Sequence, residues 1–313
     1  AQVTAIDATD NASLRDWAGS MGQGAKLRLG ESSLIEEHFD LCVLSPGIAV
    51  THPQVVALQA EGIPVWSELE LGSRVVDCPA IGITGTNGKT TTTELVAAVL
   101  NANNHPTIAA GNIGTPLSAV ARQASQLDWV TLEVSSFQLE TTDLFKPRIG
   151  VLLNLAPDHL DRHGTMDDYI RAKARLFENQ TPSDFALIQW EAWQELKRLG
   201  VKLNSQCITF SATVSEADWY LDGGQLVSQL PDSTEPWPDF SRRELGNQHN
   251  SENILAALLV GHCVGLAMKD LLPLLLDFQP GPHRCELVGE LGGVRFYSDS
   301  KATNLHALCS ALR

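Results

Sequence analysis

A glycine-rich loop between an apolar strand and a helix is the feature that most restricts how this chain can fold. Residues 82–90 read Gly-Ile-Thr-Gly-Thr-Asn-Gly-Lys-Thr, and the apolar run Ala80–Thr84 leads into them. Such loops wrap backbone N–H groups around phosphate oxygens, while a lysine reaches the terminal phosphates and a hydroxyl reaches Mg²⁺. We therefore predict a phosphate-binding loop formed by Gly85, Thr86, Asn87, Gly88, Lys89, Thr90 and Thr91.

The spacing within this loop leaves an alternative open. The standard phosphate-loop motif places a glycine at position 83, where this chain has Ile83, so the match is to a shorter G-T-N-G-K-T form. An ordinary glycine-rich turn between a strand and a helix is the other interpretation. The run Thr90–Thr93 favours the phosphate loop, because threonines are poor helix formers and a binding site explains them better than helix propensity does.

The order of apolar runs predicts the fold class. Short β-rich runs, such as the predicted strand Val3–Asp7, alternate with helical stretches, such as Pro53–Glu61 with a proline at its start. This alternation is typical of an α/β fold with a mostly parallel sheet. A length of 313 residues suggests more than one domain, because a single core usually stops growing near ~250–300 residues. Pro280-Gly281-Pro282 is a candidate boundary. The hairpin predicted around Gly292-Gly293 and a helix from near Ala302 are too little to bury a core, which suggests the beginning of a further domain.

Several local signals predict caps and turns. Ser67-Glu68-Leu69-Glu70 has the spacing of a capping box that opens a helix. Asp222-Gly223-Gly224 indicates a hairpin within Trp219–Leu230. Three prolines within Pro231–Asp239 indicate a surface loop.

The charge balance argues against a nucleic-acid partner. Asp plus Glu number 37 against 22 Lys plus Arg, so the formal net charge is -15, and such a surface repels phosphate backbones. No apolar run is long enough to span a membrane, and the first residues, AQVTAIDATDNAS, show no signal-peptide pattern. The six cysteines are scattered, mostly within apolar surroundings, and form no C-x-x-C pair, which favours buried, reduced thiols in a cytoplasmic protein over a metal site.

Ionisable side chains follow two of the predicted strands. Glu133 ends one strand, and Asp158-His159 follow the next. Carboxylates at the carboxyl ends of strands in open α/β sheets commonly hold Mg²⁺, so these residues are candidate metal ligands. A satisfied or exposed Glu133 and a structural His159 are the alternatives. Ser135, Ser136 and Gln138 add hydrogen-bonding groups to the same region.

Other polar residues are less specific when taken alone. Lys173, within a predicted helix, would by itself be interpreted as a solvated lysine. Asn250 and Asn253 lie three residues apart near the start of another predicted helix. An N-cap is the simple interpretation for at least one of them, and a purine contact is the sharper one. Charged residues also occur at predicted turns, in His283-Arg284 and in the segment 298–304. The simple interpretation is that these charges form surface salt bridges.

Seven motifs occur in an order that is found in one known family. They read GTNGKT, LEVSSFQLE, NLAPDHLDRHG, YIRAKARLFEN, NQHNSEN, PHR and DSKATN. Together they resemble the Mur ligase family over nearly the whole chain. LEVSSFQLE, GNIG at 111–114 and SPGI at 45–48 are most similar to the branch of that family that adds D-glutamate.

The resemblance implies a domain organisation and a reaction. Residues 1–67 would be an incomplete Rossmann-like domain that binds UDP, 68–280 a central P-loop-type ATP-binding domain with a mostly parallel sheet, and 281–313 the first elements of a C-terminal α/β domain. The implied activity is an ATP-dependent amide-bond-forming ligase of peptidoglycan precursor synthesis. It would join D-glutamate to UDP-N-acetylmuramoyl-L-alanine through an acyl phosphate. A cytoplasmic monomer with two Mg²⁺ sites is implied as well.

The resemblance also implies roles for single residues. The catalytic residues would be Lys89, Lys173 and His159. The metal ligands would be Thr90, Glu133, His159 and a carbamylated Lys173. Besides the loop, the groups that contact ATP would be His249, Asn250, Asn253, Arg284, Asp299 and Lys301. The groups that contact the muramoyl substrate would be Ser45, Pro46, Gly47, Asn112, Gln138 and Thr303.

The N-terminal region departs from the family pattern. The family has a glycine-rich loop after its first strand, whereas this sequence resembles the family from near the second strand onward, as a fragment would. Asp7-Ala8-Thr9-Asp10 stands where the family often has a basic residue. Two alternatives stay open: another amino-acid ligase, such as a folylpolyglutamate-type enzyme, and a non-catalytic nucleotide-binding module. LEVSSFQLE weighs against the first.

Overall fold

The computed structural model describes residues 2–19, 25–30, 37–230, 248–277, 281–302, 304 and 308–309. The chain forms two compact units, one made of Ala1–Cys42 and Val50–Val65, and the second made of Val43–Ala49 and Trp66–Arg313. The loop predicted at Pro231–Asp239 lies outside the described residues. The domain limits after residues 67 and 280 stay predictions.

The first unit contains a parallel strand–helix–strand arrangement. β1 (Val3–Asp7) and β2 (Ala25–Leu29) pair in parallel along their whole length, and α1 (Ala12–Gly19) lies between them in the chain. β1 was predicted, whereas α1 and β2 were missed. Farther along in this unit, α2 (Pro53–Ala60) begins with the predicted proline in its first turn. β3 (Cys42–Leu44) pairs with β4 (Val65–Ser67), and most residues of both strands belong to the second unit.

The second unit carries most of the secondary structure. Its elements in chain order are α3 (Glu68–Ser73), β5 (Ala80–Thr84), α4 (Lys89–Ala102), β6 (Thr107–Gly111), α5 (Leu117–Val120), β7 (Trp129–Glu133), α6 (Ser136–Leu139), β8 (Ile149–Leu152), α7 (Leu160–His163), α8 (Met166–Ala174), β9 (Phe185–Gln189), α9 (Trp190–Arg198), β10 (Gln206–Ser211), β11 (Trp219–Asp222), β12 (Gln225–Ser228), α10 (Gln248–Val264), α11 (Met268–Asp277), β13 (Glu286–Leu291) and β14 (Val294–Ser298).

A large, mostly parallel sheet organises this unit. The strand order is β12-β11-β10-β9-β8-β5-β7-β6, and only the edge strand β12 runs antiparallel to its neighbour. The predicted α/β class with a mostly parallel sheet is therefore confirmed. β5 lies between β7 and β8, so the chain leaves β5 for one half of the sheet and later returns to the other. Open α/β sheets bind ligands at such a switch point, beyond the carboxyl ends of the strands.

Apolar residues on both faces of the sheet explain why its strands are buried. One face packs against α4, α10 and α11, with Ile83, Val151 and Leu255 in its core. The opposite face packs against α3, α5, α6, α8 and α9, with Leu132 and Ile170 in its core. Successive residues of a strand point to opposite faces, so two apolar layers require strands that are apolar throughout.

The predicted capping box is only half right. Ser67 Oγ accepts a hydrogen bond from the Glu70 backbone N–H at 3.2 Å, as an N-cap does. The Glu70 carboxylate instead accepts the backbone N–H groups of residues 143–145 at 2.9–3.1 Å, together with the Arg74 guanidinium. A buried carboxylate therefore anchors a loop that lies about 70 residues farther along the chain.

Both predicted hairpins are confirmed. β11 and β12 pair antiparallel around Gly223-Gly224, and β13 and β14 pair antiparallel around Gly292-Gly293. Within the described ranges, no helix combines the length and apolar character that crossing a bilayer requires. All six cysteines are free thiols, as predicted, but the prediction that they are buried is wrong, because four are partly exposed and Cys285 and Cys309 are exposed.

Candidate nucleotide-binding site

The glycine-rich loop joins β5 to α4 at the switch point of the sheet. Gly88 is the N-cap of α4 and has a φ of 83°, a left-handed conformation that favours glycine. A Cβ on Gly88 would lie 2.4 Å from Asn253 Oδ1, so a side chain there would also have to displace the Asn253 amide. This strand–loop–helix context is the one that a phosphate loop needs, because the first N–H groups of α4 have no partner within the helix.

We expect Gly88→Ala to lower the affinity for an ATP analogue about tenfold or more, because a side chain must displace Asn253 or distort the loop. Strain of this kind costs about 1–3 kcal/mol of folding stability. Gly200→Ala is the matched control, since Gly200 also has a positive φ of 68° but its added Cβ would meet no atom within 4 Å. Calorimetric titration should show unchanged affinity in the control, and equal affinities in both variants would contradict the prediction.

Asn154 and Thr86 hold the loop in place. Asn154, just beyond β8, accepts the Asn87 backbone N–H at 2.8 Å and donates to the Asn87 carbonyl oxygen at 3.0 Å. Thr86 Oγ1 accepts the Ala156 N–H at 2.9 Å. Asn154 was not among the predicted site residues, although its position at the carboxyl end of a strand was an available signal.

A buried carboxylate lies beside the start of α4. Glu133, at the end of β7, is 3% exposed. Thr90 Oγ1 donates to its Oε2 at 2.6 Å, and Asn112 Nδ2 donates to its Oε1 at 2.8 Å. The structure therefore brings together Thr90 and Glu133, two of the predicted metal ligands, and the alternative of an exposed Glu133 is wrong.

Two lysine side chains donate hydrogen bonds to backbone carbonyl oxygens of the glycine-rich loop. Lys89 Nζ donates to the Thr86 carbonyl oxygen and Lys173 Nζ to the Gly85 carbonyl oxygen, both at 2.8 Å. The interpretation of Lys173 as a solvated lysine is wrong, because its side chain is 2% exposed. Burial lowers the pKa of Lys89 and takes that of Lys173 well below its ordinary value. The charge of Lys89 lowers the Lys173 pKa further, whereas Asp158 and Glu133 oppose the shift.

Tyr169 is a site residue that the sequence analysis missed. Its hydroxyl lies 3.2 Å from Thr86 Oγ1, and Lys173 Nζ lies 4.5 Å from the centre of its ring. Burial raises the pKa of Tyr169 to about 12. Tyr169 and Lys173 are four residues apart on α8, and that spacing places them on one helix face. The helical spacing was the signal that could have pointed to Tyr169.

The loop after β8 brings a second carboxylate towards the glycine-rich loop. Asn304 Nδ2 donates to Asp158 Oδ2 and to Asn87 Oδ1, both at 3.1 Å. His159 has a φ of 52°, and its ring centre lies 4.8 Å from that of Phe137. Its Nε2 is 3.7 Å from Asp158 Oδ2. Thr303, the neighbour of Asn304 that was predicted to contact substrate, lies outside the described residues.

The three residues predicted to contact adenine, His249, Asn250 and Asn253, all lie in the first turns of α10. α10 begins at Gln248, so Asn250 and Asn253 lie inside the helix, and the N-cap interpretation is wrong. Asn253 Oδ1 accepts a hydrogen bond from Thr92 Oγ1 at 3.2 Å, which ties α10 to α4 beside the loop. The side chain of His249 lies outside the described residues. A role of these three residues in binding adenine stays a prediction.

The remaining candidates lie in three further segments. The charge of Arg284 contributes to lowering the Lys89 pKa, after burial, so Arg284 acts electrostatically on the loop. Asp299 Oδ1 accepts the Cys285 N–H at 3.1 Å, a bond to the backbone and not the expected salt bridge, while Lys301 is exposed.

Gln138 closes a capping box with Ser135 at the start of α6. In the predicted uridine-diphosphate segment, the Ile48 N–H donates to the Ser45 carbonyl oxygen at 2.9 Å, which forms a turn around Pro46 and Gly47.

These side chains fit a magnesium ion better than a transition metal. Thr90 and Glu133 offer oxygen atoms, which Mg²⁺ prefers, and the Glu133 carboxylate is buried beside the loop. Among the described residues, no group of three His, Cys, Asp or Glu side chains could hold a metal by itself. Mg²⁺ is usually held by one or two carboxylates together with substrate phosphates and water, so Thr90 and Glu133 would be enough as its protein ligands.

A parallel sheet with a glycine-rich loop, two lysines and a buried carboxylate at its switch point defines a nucleotide-binding α/β protein of the P-loop type. Residues 83–261 match the Mur ligase middle domain. The chain belongs to the Mur ligase family.

Curated relatives share this sequence over most of its length. The chain is 38% identical over 317 residues to a UDP-N-acetylmuramoylalanine–D-glutamate ligase from Acidobacterium capsulatum, with 100% of this chain and 68% of the relative covered. It is 41% identical over 292 residues to the protein of that name from Pelotomaculum thermopropionicum, covering 92% of this chain and 64% of the relative. The chain thus spans about two thirds of the length of these relatives.

A solved structure of the same family shows the same fold. The MurF ligase of Thermotoga maritima, determined in complex with ADP, superposes with a TM-score of 0.60 at 16% identity. The superposition covers 99% of this chain and 70% of the MurF chain.

Proposed function

We propose that the protein to which this chain belongs is an ATP-dependent ligase that adds D-glutamate to UDP-N-acetylmuramoyl-L-alanine in peptidoglycan precursor synthesis. The observation that carries the proposal is the cluster of Lys89, Thr90 and buried Glu133 at the switch point of the sheet. Relatives that are 38–41% identical carry the name of that reaction. We propose a cytoplasmic monomer, in which no second copy is needed to complete the site.

The proposed reaction has two steps. A carboxylate oxygen of UDP-N-acetylmuramoyl-L-alanine attacks the γ-phosphorus of ATP, the bond to the bridging oxygen breaks, and ADP leaves. The D-glutamate amine then attacks the acyl carbon, loses a proton and expels phosphate, which leaves an amide. A carboxylate is a poor electrophile, so phosphorylation supplies the leaving group that amide formation needs.

The residues of the loop position and stabilise the phosphates in this proposal. Lys89 moves from the Thr86 carbonyl oxygen to the terminal phosphates, and the first N–H groups of α4 bind their oxygens. Thr90 and Glu133 would hold Mg²⁺, whose charge would stabilise the transferred phosphoryl group. His159 lies in the loop after β8, and we propose that it contributes to a second metal site beside the substrate carboxylate.

We propose that the remaining polar groups divide between the two substrates. ATP is bound by the glycine-rich loop, by Asn250 and Asn253 in α10, and by Arg284, Asp299 and Lys301, with His249 on the adenine side. The muramoyl substrate is bound near Asn112, Gln138 and Thr303, and its uridine diphosphate contacts Ser45, Pro46 and Gly47. Asn112 Nδ2 donates to Glu133 Oε1 at 2.8 Å, so Asn112 lies beside the candidate metal ligand.

We further propose that Lys173 is carbamylated. A neutral amine can attack CO₂ to form an N–C bond and release a proton, which converts Lys173 into a carboxylate-bearing side chain. Its burial and its low pKa support a neutral amine. We expect turnover to fall in CO₂-depleted buffer and to recover after bicarbonate is added, in a phosphate-release assay. Turnover that does not respond to CO₂ depletion, while the carbamate is absent from a mass spectrum, would contradict this proposal.

Phosphate release by the full-length protein tests the proposed function. Release should require ATP, Mg²⁺, UDP-N-acetylmuramoyl-L-alanine and D-glutamate together, with L-glutamate as the matched control. Activity with another amino acid but none with D-glutamate would support another ligase of the family. Binding of an ATP analogue without any turnover would support a non-catalytic nucleotide-binding module.

A further inference from the structure

We propose that Arg162 is a positioning residue that fixes the segment Ser45–Ile48 for the uridine-diphosphate substrate. The inference rests on the proposed function, because that function supplies the nucleotide substrate that this segment would contact. The segment belongs to the second compact unit, although its neighbours on both sides in the sequence belong to the first. Some contact within the second unit must therefore hold it.

The Arg162 guanidinium supplies that contact. Its Nη1 donates to the Pro46 carbonyl oxygen at 2.6 Å, and its Nη2 donates to the Ile48 carbonyl oxygen at 3.1 Å. These bonds join residues more than 110 positions apart. Two donors in one rigid plane, bound to carbonyls two residues apart, fix the orientation of the peptide groups in the turn between them.

The guanidinium is itself held by the segment that follows β7. Arg162 Nη2 donates to Glu140 Oε2 at 2.6 Å, and the Arg162 Cζ lies 4.0 Å from the ring centre of Phe137. The Arg162 and Glu140 side chains are each 14% exposed, so water screens this ion pair only partly. Phe137 and Glu140 follow Glu133 by a few residues, which connects the segment Ser45–Ile48 to the strand that carries the candidate metal ligand.

Arg162 acts through the segment and not by touching the substrate. Its Nη1 and Nη2 atoms are engaged by protein oxygens, and its face lies on Phe137. Loss of the guanidinium should therefore weaken binding of the uridine nucleotide without changing the ATP loop. Lysine cannot replace it, because an ammonium group has neither the planar fork nor the flat face.

The test compares Arg162→Lys and Arg162→Met with wild type in the full-length protein, and Arg198→Lys is the matched control. Arg198 also forms ion pairs, with Asp167 and Glu195, but it lies exposed on α9. We expect the KM for UDP-N-acetylmuramoyl-L-alanine to rise about tenfold or more in both Arg162 variants, with the KM for ATP within about twofold. Faster hydrogen exchange at the Ile48 amide should accompany the change, and Arg198→Lys should match wild type.

Three outcomes separate the inference from the proposed function. A wild-type protein that neither turns over nor binds the uridine nucleotide contradicts the proposed function, and the inference with it. An active wild type with an unchanged KM in the Arg162 variants contradicts the inference alone. Equal rises in both KM values would show a general structural role and would also overturn it. Arg162→Lys, which keeps the charge beside Glu140, carries the comparison if Arg162→Met does not fold.

Discussion

Substitution of Lys173 by methionine is expected to lower ligase turnover by about a thousandfold or more and to leave ATP affinity within about tenfold. The amine contacts the Gly85 carbonyl oxygen at the edge of the loop, whereas Lys89, which contacts the Thr86 carbonyl oxygen, is the lysine that we propose binds the phosphates. Methionine has a similar length and is apolar, so it can fill the buried volume without leaving an unpaired charge.

The separation of turnover from affinity is what makes the Lys173 variant informative. A nucleotide-binding module has no turnover to lose, and Lys89→Ala would reduce nucleotide affinity under every hypothesis. Lys202→Met is the matched control, because Lys202 is exposed and distant in sequence from the loop. Steady-state phosphate release and calorimetric titration with an ATP analogue measure the two quantities. Turnover within about tenfold of wild type would contradict a catalytic role for Lys173.

Removal of the Glu70 carboxylate should have the largest effect on stability. We expect Glu70→Ala to lower the free energy of unfolding by about 3–5 kcal/mol, because it leaves three backbone N–H groups and the Arg74 Nε without their acceptor, while Arg74 Nη2 keeps its bond to Asp143. Glu195→Ala is the control, since its pair with Arg198 is exposed and screened by water. Chemical denaturation measures both variants, and a loss for Glu70→Ala no larger than the control would contradict the prediction.

The Glu70 contribution should also depend on pH. Burial raises the pKa of Glu70, but hydrogen bonds from the backbone and from Arg74 outweigh burial and leave the pKa below its ordinary value of 4.5. The folded state therefore favours the ionised form, and the stabilisation is fully present above pH ~4.5 and is lost as the pH falls through the lower folded-state pKa. The difference between wild type and Glu70→Ala should shrink in that acidic range, and a constant difference would contradict the assignment.

Local patterns were enough to predict the elements that frame the site. The glycine-rich turn between β5 and α4, both hairpins and the mostly parallel sheet follow from residues close together in the chain, such as Gly88 before Lys89 or Gly292-Gly293 between two apolar runs. The strand pair of the first unit was only half predicted, because β2 is a short run, Ala-Lys-Leu-Arg-Leu, whose two basic residues weaken its apolar signal. Thr90 and Glu133 were each predicted as a metal ligand, and the structure places Thr90 Oγ1 2.6 Å from Glu133 Oε2.

The sequence by itself determined the class of fold, the position of the loop and the family of the chain, because each depends on short-range patterns or on motif order. Only the tertiary structure decided what the charged residues do. Lys173 is buried against Gly85, which is 88 residues away, and Arg162 holds Pro46 across 116 residues. The energy of a buried charge depends on partners that folding brings from elsewhere in the chain. No local pattern contains that information, so a lysine or an arginine on a helix looks solvated until its partners are in place.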